Sequence, residues 1–421
     1  MLRLVSLCGI AVMLAICFVF SRNRKAIPWR LVGVGLLLQA VLGFTFLYWD
    51  AGNQALQGVG RGVNAVIDIG QKGAQMVFGS LAMPDRTEGV FGKDKGFLFA
   101  FQILPTLIFF SSLMAVLYHL GVMQMIVRVM AWVTVRLLGT SGSESLSNCA
   151  NVFVGQTEAP LLIRPFLRGM TLSELHTIMV GGFATIAGGV FAAYVGFVGG
   201  DDPVARAAIA GRLMVASVLA VPAGLICSKV LWPETETSQT MGKIAKIEST
   251  KLGNVVEAAA SGAGDGLHLA LNVGAMLIAF LGLLALINSG LSLIHPDLSL
   301  QVLLGYLFWP IAAVMGVPSA DISELGQLIG TKLIATEFVA YQDLGKMAAA
   351  NTVSPRTVMI ASFALCGFAN FSSVAIQIGG LGAMAPERRS DLAKLGVRAM
   401  FGGALATCMT ACVAGVLGSE G

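Results

Sequence analysis

Charge is what this chain has least of. Only 12% of its 421 residues are Asp, Glu, Lys or Arg, about half of the roughly 25% usual in a soluble domain. A chain so poor in charge, and 56% hydrophobic, cannot present a wetted surface on every side. That excludes an ordinary soluble globule and leaves an integral membrane protein. The net charge of +4 is too small to argue for a nucleic-acid partner. No Gly-x4-Gly-Lys-Ser/Thr phosphate loop occurs, and the polar connections are too short to house a nucleotide domain, which excludes an ATP-driven pump. The seven cysteines, Cys8, Cys17, Cys149, Cys227, Cys366, Cys408 and Cys412, form no Cys-x-x-Cys pair and no metal spacing. Most lie inside apolar runs and read as small packing residues.

What is abundant is apolar sequence. A spanning helix needs about 20 apolar residues. Runs near 2–20, 30–49, 96–118, 173–198, 205–231, 266–289, 355–380 and 395–417 satisfy this, which makes eight candidate spans. The first leads into Ser21-Arg22-Asn23-Arg24-Lys25 without a small-residue cleavage site, so it reads as a retained span. Between 50 and 95 the pattern alternates apolar and polar at helical spacing, as in an amphipathic helix lying along the membrane surface. Positive charge collects after span one (Arg22, Arg24, Lys25, Arg30), after span five (Lys243, Lys246, Lys251) and before the last span (Arg388, Arg389, Lys394). If those segments face the cytoplasm, both termini and the Asp201-Asp202 loop face outside.

Two regions, about 141–169 and 320–350, fit no simple span. Each is too short to cross twice and holds polar groups. Such backbone persists in lipid only when enclosed by protein or lining a cavity. Each therefore reads as a re-entrant hairpin of two half-helices. The two regions also match. Thr157-Glu158 is followed by a span broken at ATIAGG (184–189), and Thr336-Glu337 by a span broken at CGFANFSS (366–373). With opposite orientations, they form the inverted repeat of a secondary transporter.

In the first hairpin, Asn151 to Val154 end a half-helix. Their unpaired carbonyls and the negative dipole end suit a small cation. Gln156, Thr157 and Glu158 would open the next half-helix, where Pro160 is tolerated in a first turn. In the second repeat, Asn370 and Ser373 lie three apart on one helix face and Glu337 can join them. These groups include no Arg or Lys, which suits a neutral polar solute better than an anion. An ionisable group inside a membrane marks function more often than packing.

GQTEAP (155–160), NVVEAAASGAGDGLHLALNVGAMLIAF (254–280), TEFVAY (336–341) and CGFANFSS (366–373) resemble the concentrative nucleoside transporters over nearly the whole chain. The resemblance implies an all-α membrane protein. Such a protein would have about eight transmembrane helices, two re-entrant hairpins in an inverted repeat and an interfacial helix, and would assemble as a homotrimer in the bacterial inner membrane. It implies scaffold spans with the interfacial helix in 1–118 and a first transport repeat in 119–231. A cytoplasmic loop with a scaffold span follows in 232–299, and a second transport repeat in 300–417. Gln156, Thr157 and Glu158 would meet the nucleobase. Glu337, Asn370 and Ser373 would meet the ribose, and Val190 and Phe368 would line the pocket. Sodium would bind at Asn151, Val154, Thr185 and Ile186. No cofactor is implied beyond the coupling ion, Na+ or H+. The chain departs from the family at Thr336, where Asn is common, and at Thr185, where Ser is usual; a Thr hydroxyl still suits a hard cation. The alternatives are a proton-coupled permease for a modified nucleoside or related neutral solute and, more remotely, an intramembrane aspartyl protease built on Gly262-Ala263-Gly264-Asp265. For the protease, no second aspartate stands in a Tyr-Asp motif, and Asp265 is expected near the cytoplasmic start of its span.

Overall fold

The computed structural model describes residues 1–92, 96, 98–200, 202–243 and 253–418. Asp201, Lys246 and Lys251, used above to orient the chain, lie outside them. Among the described residues the fold is helical, with one isolated bridge between Ser141 and Met241. Among the described residues, six helical stretches are long and apolar enough to cross a membrane: Leu2–Val19, Trp29–Tyr48, Phe99–His119, Pro203–Leu231, Val255–Ser292 and Pro386–Leu417.

The other two expected spans are each interrupted. Leu172–Ala184 resumes as Gly188–Gly199, and Pro355–Ala364 resumes as Phe371–Met384. The breaks have local causes. Thr185 is extended, at φ −119°. Gly367 takes φ +115°, where side chains are strained, and a Cβ on it would stand 2.7 Å from the Ala184 carbonyl carbon. Only glycine permits that conformation and that approach. The break in one repeat therefore abuts the break in the other.

Each broken helix is preceded by a paired segment. Gly142–Ala150 opens with a capping box, Ser141 with Glu144, which satisfies two otherwise orphaned N–H groups. After the turn its partner, Ala159–Gly169, is a 3-10 helix. This corrects the expectation of an α-helix opened by Gln156, Thr157 and Glu158, which lie in the turn instead. Pro160 and Pro165 remove two of the N–H groups that an α-helical arm would use. The second pair, Ile322–Ile334 and Glu337–Ala349, turns at Ala335–Thr336, and the Thr336 hydroxyl accepts from Val339 N at 3.4 Å. Thr336 thus performs the capping that Asn would.

Two further helices, Val122–Leu138 and Leu300–Val314, lead into the paired segments and were not among the eight runs. Val122–Leu138 carries Arg128 and Arg136, and Leu300–Val314 is short at 15 residues. The span expected at 266–289 starts earlier, at Val255. Within the alternating 50–95 stretch, Asp50–Phe78 forms an amphipathic helix whose Gly60 packs on the backbone of Ala207, and a second, short helix follows at Pro84–Phe91.

Pro203–Leu231 and Pro386–Leu417 form the centre, with 89% and 83% of their apolar windows buried, against 6% for Val255–Ser292. Gly402 and Gly403 bring the last helix against Val180 and Phe183 of the first broken helix, the small-residue contact expected between helices in lipid. A buried ion pair, Lys229 Nζ to Glu144 Oε2 at 2.7 Å, fastens the central helix to the start of the first paired segment.

Candidate functional site

The two breaks gather the polar groups. Glu337 begins its helix and is 3% exposed. Its Oε1 accepts from the Tyr194 hydroxyl at 3.0 Å and its Oε2 from the Asn370 amide at 2.7 Å. Asn370 caps Phe371–Met384, its Oδ1 accepting from Ser373 N at 2.8 Å and from the Ser372 hydroxyl at 2.7 Å. Glu337, Asn370 and Ser373 therefore meet as expected, with both carboxylate oxygens held in fixed directions. Tyr194 stacks on Tyr341 with ring centroids 4.4 Å apart, and the Tyr341 hydroxyl donates to Ser362 O at 2.7 Å. Tyr194 was not singled out in the sequence. Its signal was a phenol inside an apolar helix, which needs a partner when buried.

The first paired segment reaches the second repeat through Gln156. Its Oε1 accepts from Gln377 Nε2 at 2.9 Å, and the same Gln377 nitrogen donates to Met179 O at 3.1 Å. Thr157 packs over Gly380 of the same helix. Glu158 stands apart and opens onto a cavity of about 370 Å³, lined also by Tyr118, Gln124, Val154, Gly155 and Asp265. Among the described residues no hydrogen bond joins Glu158 to the Glu337 group. Asp265 lies ten residues after Val255 in the 38-residue helix Val255–Ser292. Val190 is buried in Gly188–Gly199, and Phe368 is half-buried in the second break.

The four residues expected around a cation sit at the first turn and the first break. Asn151 is fully buried, and neither amide atom has a hydrogen-bond partner. The Thr185 hydroxyl donates to Gly181 O at 2.9 Å, which leaves its lone pairs free, and Ile186 is buried beside it. Val154 is half-buried. Gly188 N donates to Phe153 O at 3.2 Å and ties turn to break. Buried polar atoms without partners are uncommon, and amide and hydroxyl oxygens such as those of Asn151 and Thr185 are of the kind that a hard cation takes.

The sequence reading placed no Lys or Arg among these groups. Lys332, which that reading left out, is 2% exposed and reaches the second break, where its Nζ donates to Cys366 O at 3.4 Å. Gln377 was also overlooked, although an amide in an apolar helix is a signal of the same kind as Tyr194.

The comparisons with known proteins follow this architecture along the chain. Residues 8–81 match the family model described as Na+ dependent nucleoside transporter N-terminus. Residues 100–201 match nucleoside recognition (Gate), and 212–415 match Na+ dependent nucleoside transporter C-terminus. An uncharacterized transporter of Haemophilus influenzae is 46% identical over 98% of this chain and 97% of its own length. The chain belongs to the concentrative, sodium-dependent nucleoside transporter family. Sodium/nucleoside cotransporter 1 of Mus musculus is 41% identical over 99% of the chain, which spans 64% of the mouse protein. The structure of CNTnw in an inward-facing substrate-bound state superposes with a TM-score of 0.92 at 44% identity, covering both chains completely. The protein is thus a multi-pass membrane transporter. Membership in a transporter family also speaks against the protease reading of Asp265.

Proposed function

We propose that this transporter is a symporter that imports nucleosides across the bacterial inner membrane, driven by sodium, with both termini outside. The observation that carries the reading is Glu337, whose two oxygens are aimed by Tyr194 and Asn370. A ribose presents neighbouring 2′ and 3′ hydroxyls, and an oriented carboxylate can accept from both. Ser373 and Asn370 would complete the ribose end. Gln156, Thr157 and Glu158 would meet the nucleobase, with Val190 and Phe368 as apolar walls.

Sodium would bind at Asn151, Val154, Thr185 and Ile186, where the buried Asn151 amide lacks partners. Binding there would order the turn that carries Gln156 and Thr157. Ion and nucleoside would then favour each other reciprocally. In this reading the paired segments are re-entrant hairpins, eight spans cross the membrane and Asp50–Phe78 lies along its surface. The two repeats move as a unit, in the manner of an elevator, against a scaffold of residues 1–118 and 232–299. The apolar outer face of Val255–Ser292 would pack against lipid or further copies of the chain in a homotrimer.

The test is uptake of a labelled nucleoside panel into proteoliposomes, with sodium and proton gradients imposed separately. Sodium-driven uptake of uridine, with uracil a poor competitor, is expected. Equal competition by uracil removes the ribose assignment. A second reading, proton coupling, is favoured by Glu158, which shares its cavity with Asp265. Uptake that ignores replacement of sodium by choline but rises as external pH falls selects it.

A further inference from the structure

The two repeats differ near the end of the first helix of each pair. Asn148 is two residues before the end of Gly142–Ala150, and Lys332 is two residues before the end of Ile322–Ile334. In the first repeat the position is neutral and incompletely bonded. Asn148 Nδ2 donates to Glu144 O at 2.8 Å and Thr177 O at 3.4 Å, while its Oδ1 has no partner. Asn151 beside it has none at either amide atom. In the second repeat the position holds a buried ammonium. Lys332 Nζ donates to Ala364 O at 2.9 Å, to Cys366 O at 3.4 Å and to the Thr407 hydroxyl at 3.0 Å. An ammonium has three donors, and all three are used.

The acceptors define what the ammonium does. Ala364 ends Pro355–Ala364 and Cys366 lies in the break. Their carbonyls are the orphaned, partly negative end of an interrupted helix, where a cation is favoured. Thr407 belongs to the central helix Arg389–Leu417. The ammonium thus joins three elements at one point: the second paired segment, the second break and the central helix. Glu337, five residues further along, starts the other arm of that pair.

We propose that Lys332 is a positioning residue whose ammonium serves as a tethered cation. It occupies in the second repeat the role that a diffusible ion takes in the first. The second break is thereby held in register with Glu337 without an ion, and only the first repeat senses sodium. The proposal rests on the sodium-symport reading above and goes beyond it.

The experiment uses full-length protein carrying Lys332→Met, Lys332→Ala or Lys332→Arg. Uridine uptake is measured in proteoliposomes against sodium concentration, and thermal unfolding in detergent with and without ethylammonium. Lys332→Met should lose roughly tenfold or more in uridine affinity at saturating sodium, and Lys332→Arg should lose less. Lys332→Ala should recover uptake with ethylammonium but not with the bulkier tetramethylammonium, and its sodium dependence should steepen as free sodium enters the vacated position. Ethylammonium should also raise the unfolding temperature of Lys332→Ala and leave the wild type unchanged. Wild-type uptake by Lys332→Met overturns the proposal. So does an alanine variant that ethylammonium neither stabilises nor reactivates, since that marks a packing role. If the wild type takes up no nucleoside, the transport reading fails, while the thermal shift still decides the role of Lys332.

Discussion

Gln156 accepts a hydrogen bond from Gln377 at 2.9 Å, across 221 residues of sequence. The bond joins the turn of the first repeat to the resumed helix of the second. It holds the amide expected to read a nucleobase. Replacing Gln377 by Leu keeps the bulk and removes the clamp. The preference between uridine and inosine should change by about tenfold, an amount one hydrogen bond can supply, with uracil still a poor competitor. Competition uptake measures this. An unchanged preference means that Gln156 does not read the base.

At the other end of the site, Glu337→Gln should cut ribonucleoside affinity by about 10- to 150-fold, the value of a hydrogen bond to a charged group. Tyr194→Phe removes one donor to the same carboxylate and keeps the stack on Tyr341. It should weaken binding less than Glu337→Gln does. Calorimetric titration of uridine in detergent ranks the two, and the reverse order refutes the orienting role of Tyr194.

Thr185→Val exchanges a hydroxyl for a methyl at nearly constant volume. The half-saturating sodium concentration should rise by about tenfold, the worth of one lost oxygen contact. Uptake at saturating sodium should change less. A sodium curve that does not move places the ion elsewhere.

The Lys229–Glu144 pair is buried at both ends. Lys229→Met strands the carboxylate and should destabilise the fold by about 3–5 kcal/mol. Adding Glu144→Gln to Lys229→Met should restore much of the loss. Thermal unfolding of the single and double variants tests the coupling; additive losses deny it.

Asp321 sits outside the spans, before Ile322–Ile334. Burial acts to raise its pKa, but hydrogen bonds from the Thr357 hydroxyl at 2.6 Å and Ser354 N at 2.9 Å outweigh this and hold it below the usual carboxylate range. A depressed folded-state pKa stabilises the fold above the unfolded value, about 3.9. That contribution is lost as pH falls through the lower folded value. Asp321→Asn should therefore lower the unfolding temperature at neutral pH, and the gap to wild type should close in acid. A gap independent of pH refutes the charge as its source.

Much of this architecture was legible because lipid leaves the backbone few options. Apolar length marked the long helices, and polar or glycine-rich interruptions at 184–189 and 366–373 marked the breaks. What was not legible depended on contacts made across the chain. Glu337, Asn370 and Ser373 could be grouped from spacing and resemblance. The partner that aims Glu337, Tyr194, comes from an element that sequence distance does not relate, and Lys332, though only five residues before Glu337, makes its contacts with Ala364, Cys366 and Thr407 far along the chain. Hydropathy also misjudged Val122–Leu138, whose arginines interrupt the apolar count, and helical periodicity could not foresee that Pro160 and Pro165 turn one arm into a 3-10 helix.

The meeting of the two breaks at Gly367 has a consequence for how the gene can vary. Gly367 has φ +115° and lies against the backbone of Ala184, so even alanine would need one interrupted helix to retreat from the other. In a saturation library selected for uptake, position 367 should return glycine alone. Positions on the outer face of Val255–Ser292, such as Ile278 and Leu286, should return any apolar residue. Their allowed alphabets differ because one position is bounded by backbone and the other by a fluid.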